Sequence, residues 1–140
     1  MQFAKAEDSI APVRGSGDKA ALSLDRLLGA WANTNEATEE IPTLILEKNS
    51  QGKLTVHAAG GHLGPADWGK IEADHLFALN IHSQDAAGFT ASYQFDSRET
   101  RLQANWNQGL LVVASFNTFK EDSGQANYFT REFYRREGSE

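Results

Sequence analysis

The chain has 140 residues, 40% of them in the AVILMFWYC class, and its 13 Lys and Arg against 19 Asp and Glu give a net charge of −6 at pH 7. This length is typical of one domain with one hydrophobic core, and the apolar fraction excludes a wholly disordered chain. The lack of cysteine excludes disulfides and thiol catalysis, and the acidic balance argues against binding to nucleic-acid phosphates.

No run of about 18 apolar residues occurs, and the N-terminus lacks the apolar region of a signal peptide, so we expect a cytoplasmic protein without membrane partners. Residues 1–22 are small, polar and charged, and we expect a flexible N-terminal arm there. Residues 23–29, SLDRLLG, place three leucines at helical spacing, which predicts a short helical turn. The domain is expected over residues 23–136, with 137–140 as a tail.

From residue 30 onward, apolar and polar residues alternate with a period near two, and short turn sequences separate the runs. Hairpin turns require antiparallel neighbours, and a sheet that closes on itself removes its exposed edges. The pattern therefore predicts an all-β fold, an eight-stranded antiparallel up-and-down barrel, with a two-sheet sandwich as the alternative. The predicted strands are 30–33, 41–48, 53–59, 75–82, 89–95, 100–106, 110–117 and 128–136.

A three-residue motif opens the first predicted strand. Gly29-Ala30-Trp31 directly follows the predicted helical turn, and it resembles the G-x-W opening of the calycins, the superfamily of lipocalins, fatty-acid-binding proteins and avidins. The resemblance implies a barrel whose tryptophan, here Trp31, seals one end beneath a basic residue of the last strand. That residue is expected to be Arg135 or Arg136, because a guanidinium stacks well on an indole ring.

A second resemblance is to a group of small bacterial domains with the segments G-x-W-x-N, L-T-V-H-A, D-W-G and D-x-S-G-x-x-x-Y. The matching segments here are 29–33, 54–58, 67–69 and 122–128, so the similarity spans about residues 23–136. Relatives often carry cysteines before D-W-G, where this chain has Gly61-His62-Leu63-Gly64-Pro65-Ala66. The group carries no established activity, so the resemblance supports a fold more than a function.

An eight-stranded barrel holds either packed side chains or one small ligand. On the strands 89–95 and 100–106, the small residues Ala91 and Ala104 sit among aromatic residues, which favours a pocket for a mostly apolar molecule over an ordinary core. Trp68 is either a lid at the barrel mouth or an anchor on the outer wall. The predicted ligand-binding residues are Phe77, Phe89, Tyr93 and Trp106 as walls, His57 and Ser115 as polar contacts, and Trp68.

Two other functions are compatible with this pattern. One is a barrel enzyme, a cyclase or isomerase acting on a bulky apolar intermediate, with Tyr93 or His57 as the catalytic candidates for proton transfer. The other is an interaction module, such as a homodimer, that uses the strand 110–115, which is apolar on both faces. Alternation does not decide whether Arg131 or the tyrosines of the last strand face the interior.

Histidine and aspartate are frequent between residues 62 and 82, which raises the question of a metal site. No short fixed ligand spacing such as H-E-x-x-H occurs there, and no cofactor motif is present, so we expect neither a metal nor a cofactor. The side chains concerned are His62, Asp67, Asp74, His75 and His82.

Overall fold

A computed structural model describes residues 21–60 and 66–138 and shows an antiparallel, almost entirely β-structured domain. A single 3₁₀ turn, Glu121–Ser123, precedes the last strand. The part of the chain that is described contains no helix long and apolar enough to cross a membrane. The nine strands are β1 Gly29–Asn33, β2 Thr43–Lys48, β3 Leu54–Ala59, β4 Asp67–Glu72, β5 His75–Ala78, β6 Ala86–Gln94, β7 Arg98–Asn107, β8 Leu110–Phe119 and β9 Tyr128–Arg136.

The prediction of an all-β antiparallel fold is confirmed, but the predicted number of eight strands is wrong. The additional strand is β4, where no strand was predicted. Its alternation is interrupted at Gly69, which has a φ of +90°. The predicted helical turn is also wrong. The amides of Leu27 and Leu28 both donate to the carbonyl of Leu24, at 2.8 and 3.1 Å, and this single turn continues into no helix. Residues 1–20 of the predicted arm lie outside the described residues.

The strands form one curled sheet in the order β4-β3-β2-β1-β9-β8-β7-β6-β5. Six antiparallel pairings separate β3 from β6, so these two strands run in the same direction, and so do their partners β4 and β5. Only Ala73 and Asp74 connect β4 to β5, and their amides donate to opposite sides, to Leu54 on β3 and to Thr90 on β6. The chain from β4 to β5 therefore follows one bent path that pairs with β3 first and with β6 afterwards.

One end of the curled sheet is filled by Trp31, which is completely buried. Its indole N–H donates to the carbonyl of Leu27 at 2.9 Å, and the guanidinium of Arg136 lies 4.4 Å from the ring centre. Arg136 also donates to the carbonyls of Leu28 and Arg26. These contacts tie the last strand to the segment that precedes β1, and they join polar groups that burial would otherwise leave unpaired.

The arginine over Trp31 is thus Arg136, and Arg135, the alternative expected from the resemblance, is exposed on the outer face. The alternation of β9 explains this, since Tyr134 is 1% exposed and Arg136 shares its face. The same alternation settles the orientation of Arg131, which is exposed with Arg135.

The interior is lined by every second residue of the long strands, as the alternation of β6 and β7 predicted. Phe89, Ala91, Leu102 and Ala104 are at most 6% exposed. Burial of this apolar surface drives the sheet to curl, because each strand presents one apolar face that a flat sheet would leave in water.

Candidate functional site

The segment Asp67-Trp68-Gly69 forms a β-bulge at the start of β4. Ala58 pairs with Gly69 and Ala59 pairs with Asp67, so Trp68 has no partner residue in the ladder. The carboxylate of Asp67 accepts the Gly69 amide at 2.9 Å and lies 2.7 Å from Nε2 of His57. The bulge turns Trp68 inward, where it is 7% exposed. The structure therefore places Trp68 in the interior rather than on the outer wall.

The Asp67 carboxylate is fixed by these two contacts. The Gly69 amide and then the His57 ring lower the pKa of Asp67 below its usual range, because both interactions favour the charged form. The role of this pair is to hold the bulge that turns Trp68 inward.

Tyr93 of β6 connects its strand to β3 and β4, which lie at the opposite edge of the curled sheet. Its hydroxyl donates to the carbonyl of Gly69 on β4 at 2.6 Å and accepts the amide of Ala58 on β3 at 3.0 Å. Beyond Thr90, β6 has no hydrogen-bonded strand on its β5 side, so the bonds of Tyr93 connect the two edges of the curled sheet. Burial raises the pKa of Tyr93 to about 12, although the Ala58 amide opposes that rise.

An aromatic cluster surrounds this connection and carries a cation. Trp68 lies edge-on to Tyr93 and to Phe95, with ring centres 5.3 and 5.0 Å apart, and Tyr93 and Phe95 are stacked. The guanidinium of Arg98, from the first residue of β7, lies 4.9 Å from the Phe95 ring and 5.4 Å from the Trp68 ring. Arg98 is only 6% exposed, so its charge is held among aromatic faces rather than in water.

Three buried hydrogen-bond donors at this end have no partner among the described residues. They are Nε1 of Trp68, one terminal guanidinium nitrogen of Arg98 and the side-chain nitrogen of Asn117. Asn117 is oriented by Thr100, whose hydroxyl donates to the Asn117 side-chain oxygen at 2.7 Å, which leaves the amide nitrogen free. Buried polar groups are nearly always paired, and each of these three can only donate. Each of these groups is therefore complementary to a hydrogen-bond acceptor.

Carboxylates border the donors but do not pair with them. Burial raises the pKa of Glu40 above its usual range, and the charge of Glu132 adds to that rise, whereas the Tyr128 hydroxyl and Arg98 oppose it. The Glu132 carboxylate already accepts from Asn33 at 2.8 Å and from Thr38 at 2.9 Å. The charge of Arg98 thus acts on the pKa of the half-buried Glu40, but no salt bridge joins the two among the described residues.

The structure places several of the predicted ligand-binding residues in the interior. Phe89, Tyr93, Trp68 and Ser115 are all at most 7% exposed. Trp106 is half-buried at the other end of β7 from Arg98, and the guanidinium of Arg26 lies 4.4 Å from its ring. Tyr93 and Trp68 contact each other in the aromatic cluster. Trp106 lies on β7 about eight residues from Arg98, at the end of the curled sheet that Trp31 fills.

Two predicted ligand-binding residues lie on the outer face. Phe77 is 52% exposed, and His57 faces outward beside Asp67 because Val56 and Ala58 occupy the inward positions of β3. The structure therefore does not bring His57 and Tyr93 together in the interior, and the Tyr93 hydroxyl is fully occupied by backbone groups.

The sequence pointed to only part of this site. Arg98 lies between the predicted strands 89–95 and 100–106, and Thr100 opens the second of them without a predicted role. Asn117 has two interpretations from the sequence, an inward polar contact beside Ser115 or the start of the next turn, and the structure shows that it faces inward. One signal was available: Arg98 and Thr100 continue the inward alternation of Leu102 and Ala104 backward along β7. Among the described residues, no group of three or more His, Cys, Asp or Glu side chains is arranged to hold a metal ion.

Comparisons with known proteins give no relative. No protein-family model matches the chain, and neither the curated proteins nor the solved structures contain a match.

Proposed function

We propose that this protein binds a small, mostly apolar molecule in the interior of the curled sheet, with an acceptor group of that molecule on Trp68, Arg98 and Asn117. The observation that carries the proposal is the set of three buried donors that have no partner among the described residues. Leaving a buried donor unpaired costs about 1–3 kcal/mol, and a charged donor costs more. A carboxylate, sulfonate or carbonyl oxygen would satisfy them, and the aromatic rings beside them suit an apolar body.

The proposed arrangement agrees with the calycin-like architecture expected from G-x-W. In that architecture one end is sealed, here by Trp31 and Arg136, and the ligand enters from the opposite end. The half-buried Phe95 and Tyr128 lie beside the donors at that opposite end, where strand β7 begins. Binding is favoured over catalysis because the hydroxyl of Tyr93 and the ring of His57 are both used by the fold.

The proposal is tested with a matched pair of fluorescent probes. 1-Anilinonaphthalene-8-sulfonate carries an anionic acceptor on apolar rings, and N-phenyl-1-naphthylamine has the same rings without the sulfonate. We expect Arg98→Gln to weaken binding of the sulfonate about 10-fold or more, since a hydrogen bond to a charged group contributes roughly 1.5–3 kcal/mol. Binding of the neutral probe should change far less.

Two further variants keep the test decisive. Lys53→Gln removes an exposed cation in the turn between β2 and β3 and should leave both probes unaffected. Asn117→Asp retains an acceptor for Thr100 but places a carboxylate beside the donors, and we expect it to weaken binding of the sulfonate alone. Equal effects of Arg98→Gln and Lys53→Gln, or no binding of either probe by the folded protein, would contradict the proposal.

A further inference from the structure

The outer face of strands β5 to β9 carries a shallow trough that runs across the strands. Phe77, Gly88, Asn105, Val112 and Phe133 are aligned in one row by four consecutive pairings. At a strand spacing of about 4.8 Å, the row spans roughly 19 Å. The next row contributes Thr90, Gln103, Ala114 and Arg131. All members of the two rows except Phe133 line an open groove of about 550 Å³, and Phe133 lies beside it.

Small residues form part of the floor of this outer trough, and aromatic residues stand at the two ends of the row. Gly88 lies next to Phe77, where a Cβ atom would come within 2.8 Å of the Ala104 carbonyl oxygen, so the close approach of β7 requires glycine there. Val112 is only 4% exposed, although it faces outward. Phe77, which lines the groove, is 52% exposed, and Phe133, beside it, is 39% exposed. The result is a shallow depression with exposed aromatic rings at both ends of the row.

Exposed aromatic surface extends from the trough along β8 and β9. Phe129 is 62% exposed and Phe116 is 40% exposed, and their rings stack at 5.5 Å on the outer face. Aromatic residues and arginine are enriched at the centres of protein interfaces, where lysine and acidic residues are depleted. An exposed apolar surface of this extent on an otherwise charged protein marks an interaction site.

The charge of this face is opposite to that of the whole chain. Arg101, Arg131 and Arg135 are exposed on the outer sides of β7 and β9, and Arg131 lies 5.3 Å from the Phe133 ring. Among the described residues, the outward carboxylate on these two strands is that of Glu99, near the start of β7, and it accepts a hydrogen bond from Gln94. None of the three arginines has a salt bridge within the part of the chain that is described, whereas the net charge of the protein is −6.

From this combination, we infer that the outer trough and the adjoining Phe116–Phe129 surface dock an acidic, amphipathic segment of another protein. The apolar side chains of the segment would cover the trough and the stacked rings, and its carboxylates would pair with Arg101, Arg131 and Arg135. A second copy of this chain is a poorer occupant. The face packed on itself would bring its three exposed arginines against the same three arginines, and among the described residues of β7 and β9 only Glu99, at the margin, offers an outward carboxylate.

The proposal can be tested with a random peptide library displayed on phage and selected on the folded protein. We expect the enriched peptides to combine Asp or Glu with Leu, Phe or Trp. Synthetic versions of these peptides, measured by fluorescence anisotropy, should bind Arg131→Glu and Phe129→Ser about 10-fold more weakly than the unmodified protein. Lys53→Glu changes an exposed charge in the turn between β2 and β3 and serves as the control that retains binding.

The two tested residues are exposed, so their variants should fold, and circular dichroism checks that they do. Enrichment of basic peptides, no enrichment at all, or equal binding by all three variants would overturn the inference. So would a dimer in sedimentation equilibrium that Phe129→Ser dissociates, which would assign the face to a second copy. Partition onto phosphatidylserine vesicles that Arg131→Glu abolishes would assign it to a membrane instead.

Discussion

The hydroxyl of Tyr93 lies 2.6 Å from the carbonyl oxygen of Gly69, and this hydrogen bond joins the two edges of the curled sheet at a point where no strands pair. It depends on the bulge at Trp68, because that bulge sets the pairing of Gly69 with Ala58. The same bulge turns the Trp68 indole toward Arg98. One local irregularity therefore serves both the connection of the sheet and the assembly of the proposed site.

Replacing Tyr93 with Phe should destabilise the protein by about 1–3 kcal/mol. The change removes the hydroxyl that the Ala58 amide and the Gly69 carbonyl share, and it leaves polar groups buried without this partner. Urea denaturation followed by circular dichroism measures the loss. Tyr128→Phe removes a half-buried hydroxyl 3.3 Å from Glu40 and is the matched control, expected to have a much smaller effect. Equal losses in the two variants would contradict a connecting role for Tyr93.

Alkaline pH should weaken the fold through the same residue. The pKa of Tyr93 in the folded protein, about 12, lies above the value of 10.0 in the unfolded chain, because burial disfavours the phenolate. The stabilisation is therefore complete below pH 10 and is lost as the pH rises from 10 to about 12. The unfolding free energy of the unmodified protein should fall more steeply from pH 9.5 to 11.5 than that of Tyr93→Phe. Parallel curves for the two proteins would disprove this linkage.

The two neighbouring arginines of the last strand should differ sharply in their contribution to stability. Arg136→Ala removes the cover of Trp31 and the donors to the Leu28 and Arg26 carbonyls, and we expect a loss of about 2 kcal/mol. Arg135→Ala changes an exposed side chain and should stay within about 0.5 kcal/mol of the unmodified protein. Thermal unfolding of both variants at one pH makes the comparison, and a larger effect of Arg135→Ala would contradict the assignment.

The interior of β6 and β7 could be predicted from sequence because a two-residue period needs only local information. Phe89 and Leu102 are inward for that reason. The strand β4 could not be predicted, since the bulge at Trp68 and the left-handed Gly69 remove the alternation that defines a strand. The sequence also left the face of Arg131 open, because both faces of β9 carry aromatic residues.

The candidate site was predicted only in part, for a different physical reason. Tyr93 and Trp68 were recognised as large residues that a pocket requires. Whether a hydroxyl or an indole N–H has a partner depends on strands far away in sequence. The Tyr93 hydroxyl is satisfied, whereas the Trp68 indole finds no partner in residues 21–60 and 66–138. Arg98 continues the inward alternation of β7, but it lies next to a turn, where a charged residue is ordinarily in water, so the alternation alone did not predict its burial.

The indole N–H groups provide the most direct test of the central claim that the unpaired donors receive an acceptor. In ¹H–¹⁵N spectra, the Trp68 indole proton should move downfield as 1-anilinonaphthalene-8-sulfonate is added, because it gains a hydrogen bond. The Trp31 indole, already bonded to the Leu27 carbonyl at 2.9 Å, should stay in place and serves as the internal reference. An unmoved Trp68 resonance at saturating probe would contradict the account.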